Sequence, residues 1–131
     1  MSLSSYRLTA SVAVSDMAEA IEFYEGRLGL EVAEEQHDGS RIYSSAGGAS
    51  LHVYPSPDHA GAATATLATW YVDDIEQVVD ELSANGVTFE RFDEPPLETD
   101  AKGIAATGDG KVAWFKDPDG TTFAIEQQLS R

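Results

Sequence analysis

Residues 14–32, VSDMAEAIEFYEGRLGLEV, return in altered form at residues 72–89, VDDIEQVVDELSANGVTF. Val14 aligns with Val72 and Asp16 with Asp74; after a gap of one residue, Gly29 aligns with Gly86. Self-similarity of this extent predicts two related structural units. A strand pattern leads into each copy. In RLTASVAV, Leu8, Ala10, Val12 and Val14 fall on one face, with Thr9, Ser11 and Ala13 on the other. In TLATWYV, Thr66, Ala68, Trp70 and Val72 alternate with Leu67, Thr69 and Tyr71.

The apolar period then becomes helical. Met17, Ala20, Ile21, Tyr24 and Leu28 share one helix face, as do Ile75, Val78, Val79 and Leu82. Asp16 with Glu19 and Asp73 with Glu76 have capping-pair spacing, and Gly29 and Asn85-Gly86 suit the helix ends. Three strands follow each helix: roughly 30–35, 40–45 and 49–55, then 87–92, 110–116 and 121–127. Asp109-Gly110 and Asp119-Gly120 supply turns. The segment 93–108, with Pro95-Pro96, reads as a long loop of the kind that forms lids. The expected architecture is α+β, one domain over 1–131. It has βαβββ modules at about 6–55 and 66–128, joined by a linker at about 56–65.

Composition narrows the function. The chain has 131 residues, 42% hydrophobic and 24% charged, in the range of a globular domain with its own core. It has no cysteine, so disulfide and thiolate chemistry are excluded. No apolar run is long enough to span a bilayer, and MSLSSYRL lacks the pattern of a secretory leader; a cytoplasmic location is the default expectation. A net charge of −15 disfavours nucleic acid as a partner and favours solubility.

VSDMAEAIEFYEGRLGLEV, WYVDDIEQVVDELSANGVTF and VAWFKDPDGTTFAIEQ together resemble the vicinal oxygen chelate superfamily, the glyoxalase/bleomycin resistance/extradiol dioxygenase group. With the strands between them they cover nearly the whole chain. The region GIAATGDGKVAWFKDPDG is similar to small bacterial glyoxalase-like proteins. The resemblance implies paired βαβββ modules, each bending its sheet into half of an open barrel around a cavity, with helices outside, and assembly as a homodimer. Metal-dependent members place four ligands in that cavity, one on the first and one on the last strand of each module. They use the ion as a Lewis acid on vicinal oxygens or, with iron, to activate dioxygen.

The family's first ligand stands seven residues before the strand-end Asp, which here is Thr9; its equivalent in the second module is Leu67. The closing-strand ligands stand four residues after the turn glycine, which gives His52 from Gly48 and Ala124 from Gly120. Of these four only His52 binds a transition metal well, whereas zinc or iron needs about three imidazole, carboxylate or thiolate donors. No metal and no other cofactor is therefore expected. Glu126 shares the face of Ala124, two residues on. A bulge would slide it into the ligand position, leaving two donors even then. His37 and His59, beside Asp38 and Asp58 in polar loops, read as solvated.

Alternation assigns an inner wall of Thr9, Ser11, Ser50, His52, Tyr54, Leu67, Thr69, Tyr71, Thr122, Ala124 and Glu126, joined by either Trp114 or Phe115. Hydroxyls mixed with aromatics suit a small, partly apolar ligand with a few polar handles. Aromatic faces also favour a cation. Trp70, by its phase, is core packing. His52 and Glu126 would serve as an acid–base pair if they face each other; otherwise they are a hydrogen-bonded wall residue and a rim carboxylate. TGDGK continues into Val112, so it is no phosphate-binding loop, and no G-x-S-x-G elbow is present. Three functions stay open: a metal-free small-molecule binder, a glyoxalase- or dioxygenase-type metalloenzyme, and a metal-free acid–base enzyme using His52 and Glu126.

Overall fold

The structure, a computed structural model, describes residues 2–95 and 97–129. The chain divides into two compact units, residues 1–62 and 63–131. No helix among the described residues is long and apolar enough to cross a membrane.

In the first unit, β1 (Thr9–Val14) is followed by α1 (Met17–Ile21), which continues into a π-helical turn, Glu22–Arg27. The Asp16 carboxylate caps α1 by accepting from the Ala18 and Glu19 backbone N–H groups at 2.8 and 3.2 Å. Three strands complete the unit: β2 (Glu31–Glu35), β3 (Arg41–Ser44) and β4 (Ser50–Pro55). The sheet order is β1-β4-β3-β2, with β1 parallel to β4 and the remaining pairs antiparallel.

The alternation expected from sequence decides what this sheet buries. Val12, Val14, Leu51, Val53 and Tyr43 are buried together with Ala20, Phe23 and Tyr24 of the helical segment. Tyr24 stacks on Tyr43 at 6.1 Å and meets Phe23 edge-on at 5.2 Å. The π turn carries Glu25, whose carboxylate accepts from the Tyr43 hydroxyl at 2.9 Å and lies 3.7 Å from Arg41. Leu8, assigned to the apolar face by alternation, precedes β1 and is exposed.

The second unit opens with β5 (Thr66–Tyr71) and α2 (Ile75–Ala84). Asp74, not Asp73, caps α2, accepting from the Gln77 N–H at 3.2 Å. This agrees with the internal alignment, in which Asp74 matches Asp16. At the far end the Val87 and Gly86 N–H groups bond the Leu82 and Ser83 carbonyls, a Schellman closure that needs the positive φ of Gly86.

The strand expected over 87–92 is reduced to a single bridge, Phe89 to Phe115. The chain instead forms a short hairpin, β6 (Asp93–Glu94) with β7 (Leu97–Glu98), and then β8 (Ala105–Thr107). Thus the expected loop 93–108 holds three short strands; its Pro96 lies outside the described residues. β9 (Gly110–Lys116) and β10 (Thr122–Gln128) follow. The order β5-β10-β9-β8 repeats that of the first unit, with β5 parallel to β10. The reason for the changed edge is visible on β9. Its outer rim is shared end to end: Phe89 and Glu90 bond near Phe115 and Trp114, while β8 takes Gly110 to Val112. A two-residue connection, Gly108-Asp109, makes β8 the nearer partner.

Phe115, Phe123 and Ile125 are buried with Ile75, Val79 and Phe89. Trp70 joins them, with ring centroids 6.2 Å from Phe115 and 5.5 Å from Phe123, in the packing role its phase implied.

Gly110 is sterically obligatory, because a Cβ there would overlap the Gln127 carbonyl oxygen. Gly110→Ala should lose at least about 2 kcal/mol in urea denaturation, while Gly108→Ala, with open space around it, stays within about 0.5 kcal/mol of wild type. Burial, then the hydrogen bond to Glu25, pushes the Tyr43 hydroxyl well above its ordinary range. Its stabilising contribution is full below about pH 10, where the unfolded phenol begins to ionise, and is lost as pH rises further. Tyr43→Phe should cost roughly 1–2 kcal/mol near neutrality, and the difference from wild type should narrow above about pH 10. Urea curves at both pH values measure this.

Candidate functional site

Each sheet has a second face, turned away from its helix, and the expected site residues lie on it. In the first unit β1, β4 and β3 align Ser11, His52 and Ile42 in one row and Thr9, Ser50 and Ser44 in the next; Tyr54 is paired with Ala13. The Thr9 and Ser50 hydroxyls bond each other at 2.6 Å. The His52 ring stacks on Tyr54, two residues on along the strand, at 5.4 Å and 26°. His52 Nε2 lies 3.1 Å from the Ser40 hydroxyl, which donates to Gln36 Oε1 at 3.0 Å. Ser40 also gives its backbone N–H to Asp38 at 2.9 Å. Hydrogen bonds from the Ser40 side chain and then its backbone hold the Asp38 carboxyl below its usual value.

In the second unit Thr69, Ala124 and Trp114 form one row, and Tyr71, Glu126, Val112 and Ala105 the next. Trp114, and not Phe115, is therefore on this face. Trp114 meets Phe92 edge-on at 5.6 Å and 88°. Ala105, Val112 and Ala124 form an apolar patch against which Leu97 and Trp114 pack. Glu126 is half-buried, and Tyr71 is exposed. Leu67 is the extra residue of a bulge: Thr122 pairs with Thr66, and Phe123 with Ala68. Because that irregularity precedes Phe123, Ala124 and Glu126 keep their regular alternation, and Glu126 is not displaced into the position of Ala124.

The stretch KDPDG sets this register. Asp117 Oδ1 accepts from the Asp119 and Thr121 N–H groups, each at 2.9 Å, and Gly120 takes φ +92°. The turn locks Lys116 opposite Thr122 and so places Trp114 opposite Ala124.

The four positions that the resemblance gives to ligands are occupied by Thr9 and His52 in the first unit and Leu67 and Ala124 in the second. The Thr9 hydroxyl is engaged with Ser50, Leu67 is 39% exposed with no donor, Ala124 is buried in the apolar patch, and His52 alone offers a good donor. Among the described residues no group of three or more His, Cys, Asp or Glu side chains converges to hold a metal ion. His37 borders a shallow open hollow of about 400 Å³ with Glu34, Glu35, Gln36 and Asp38. His59 accepts or donates through Nδ1 to the Ser56 hydroxyl at 2.8 Å.

Four participants escape a sequence reading confined to strand alternation. Ile42 belongs to the row pattern of β3, and alternation along that strand would have found it; Ser40 precedes β3 and reaches His52 only through its hydroxyl. Phe92 and Leu97 flank Pro95-Pro96. Two large apolar residues in an otherwise polar loop are the available signal that the loop covers something.

Two repeated βαβββ sheets, each with its first and last strands paired in parallel, define a class of paired-module proteins. The chain belongs to the Glyoxalase/Bleomycin resistance protein/Dioxygenase superfamily, which it matches over residues 7–125. No functionally curated protein matches it. Among solved structures it is similar to a glyoxalase/bleomycin resistance protein from Catenulispora acidiphila, with 27% identity, TM-score 0.68, and 94% and 98% of the two chains covered. It is similar in fold to TnmS3, an antibiotic binding protein from a Streptomyces species, at 23% identity and TM-score 0.69 over 95% and 96%. A superfamily member from Sphaerobacter thermophilus matches at 22% identity and TM-score 0.64 over 94% and 97%.

Proposed function

We propose that this protein binds a small, partly apolar molecule on the helix-free faces of its sheets, with no metal ion at the family's ligand positions. One observation carries the reading: of Thr9, His52, Leu67 and Ala124, only His52 supplies a metal-competent donor, and Ala124 is enclosed by carbon. Lewis-acid chemistry of the glyoxalase or dioxygenase type requires more donors than this set holds. The residues present do something else well. On the second unit's face Trp114, Phe92 and Leu97 offer apolar and aromatic contact beside the polar Thr69 and Glu126; on the first unit's face Tyr54 offers an aromatic ring beside the polar His52 and Ser11. That balance is typical of small-molecule sites. The antibiotic-binding relative shows that this fold accommodates such a role in another protein.

Assembly as a homodimer belongs to the same reading. Leu3, Tyr6, Leu8 and Leu129 are exposed apolar side chains, and β2 is an uncovered edge strand. Light scattering should give twice the 14.0 kDa chain mass.

Thermal denaturation in the presence of a chelator, screened against small aromatic and amphipathic compounds, tests the binding reading. A ligand at about a hundred times its Kd should stabilise by about 2.7 kcal/mol, or several degrees, with the chelator present. Trp114→Ala should weaken that ligand by roughly tenfold or more. Stoichiometric metal held by three or more side chains, or a ligand response abolished by chelation and restored by the ion, would overturn the proposal.

A further inference from the structure

The surroundings of His52 determine which of its two nitrogens carries the proton. Ser40 is completely buried, and its single hydroxyl proton has two acceptors competing for it: Gln36 Oε1 at 3.0 Å and the Asp38 carboxylate, which already holds the Ser40 backbone N–H. Neither a carboxylate nor an amide oxygen donates. Once the hydroxyl proton is committed to either, Ser40 Oγ faces the imidazole with lone pairs only. The 3.1 Å contact to His52 Nε2 is then a hydrogen bond donated by the imidazole. Neutral His52 is therefore the Nε2–H tautomer, and its Nδ1 keeps a lone pair with no protein donor among the described residues. The ring plane is held as well, between the Ser40 contact and the stack on Tyr54.

We propose that Ser40, fixed by the 36–40 turn, makes His52 a dedicated hydrogen-bond acceptor at Nδ1, so that the site selects small aromatic molecules carrying an O–H or N–H donor over isosteres that carry only acceptors. This rests on the binding reading above and assigns Ser40 as a positioning residue, acting through His52. An imidazole free to choose its tautomer would accept donor and acceptor ligands alike. The hydroxyl relay removes that choice before a ligand arrives, which lowers the reorganisation required on binding.

The experiment uses the intact ¹⁵N-labelled chain and has two arms. Long-range ¹H–¹⁵N spectra, with His52 assigned through His52→Gln, should show wild-type His52 with Nε2 protonated and Nδ1 bare. Ser40→Ala should shift it towards a mixture of tautomers. Wild-type His52 in the Nδ1–H form, or a folded Ser40→Ala variant with an unchanged spectrum, would overturn the role of Ser40. If Ser40→Ala does not fold, the Nδ1–H form in wild type still overturns the proposal. In the second arm 2-naphthol and its methyl ether are titrated into wild type and His52→Gln. The expected result is about tenfold tighter binding of the naphthol than of the ether to wild type, a preference that His52→Gln erases. Equal binding of the two probes to wild type would overturn the donor selection and leave the binding reading intact. Failure of both probes and of the compound screen would overturn the binding reading, with the tautomer result standing separately.

Discussion

The parallel pairing of first strand with last is the constraint from which each unit's structure follows. Antiparallel neighbours can be joined by a tight turn, but parallel ones need a crossover, and the helical segment supplies it. β1 against β4 and β5 against β10 therefore bring together residues about forty to fifty-five positions apart, a closure whose entropy is recovered through burial beneath the helix. Val12 with Val53, and Ile125 with Trp70, are the register pairs beneath it. The same pairing makes the opposite face by default: whatever alternates with those apolar residues is brought into rows, Ser11 with His52 and Thr69 with Ala124.

Much of this is written in the chain at the level of period and punctuation. The switch from alternation to helical spacing, the aspartates at 16 and 74, and the glycines at 29 and 86 act within a few residues, so each is readable locally. The closing hairpin is equally local, because Asp117 ties down its own turn through two short hydrogen bonds. The second strand of the second unit was not readable in this way. Residues 87–92 have a strand-like pattern, yet Ala105–Thr107, through a shorter connection, takes the Gly110–Val112 end of the β9 rim and leaves Phe89 and Glu90 only the part near Trp114 and Phe115. Propensity describes a segment alone, whereas edge occupancy depends on what else can reach the same carbonyls. The π turn of Glu22–Arg27 is a comparable case. Its widening carries Glu25 to Tyr43, a long-range partner invisible to a window of helical spacing.

The candidate site divides along the same line. Residues on regular strands, such as His52, Tyr54, Thr69 and Ala124, were placed on their face by counting. Counting alone does not separate Trp114 from Phe115; the turn at Asp117 and the pairing opposite Ala124 do. Leu67 escapes the count because a bulge adds a residue at that point. Ser40 and Gln36 matter through the direction of a hydrogen bond, which no spacing rule expresses. What identity alone does convey is the chemical poverty of the four ligand positions, since an alkyl side chain cannot coordinate an ion in any conformation.

The divided rim of β9 has a consequence for how such a chain diversifies. The excursion between Glu90 and Ala105 leaves one strand and returns to that same strand, hooked at both ends by backbone bonds to β9. Lengthening a loop whose two anchors are already fixed changes its closure entropy only slowly. Residues inserted or deleted there need not move a register pair of the four-stranded sheet, so this short detour is a natural splice point at which new recognition surfaces arise while the sheet behind them is inherited unchanged.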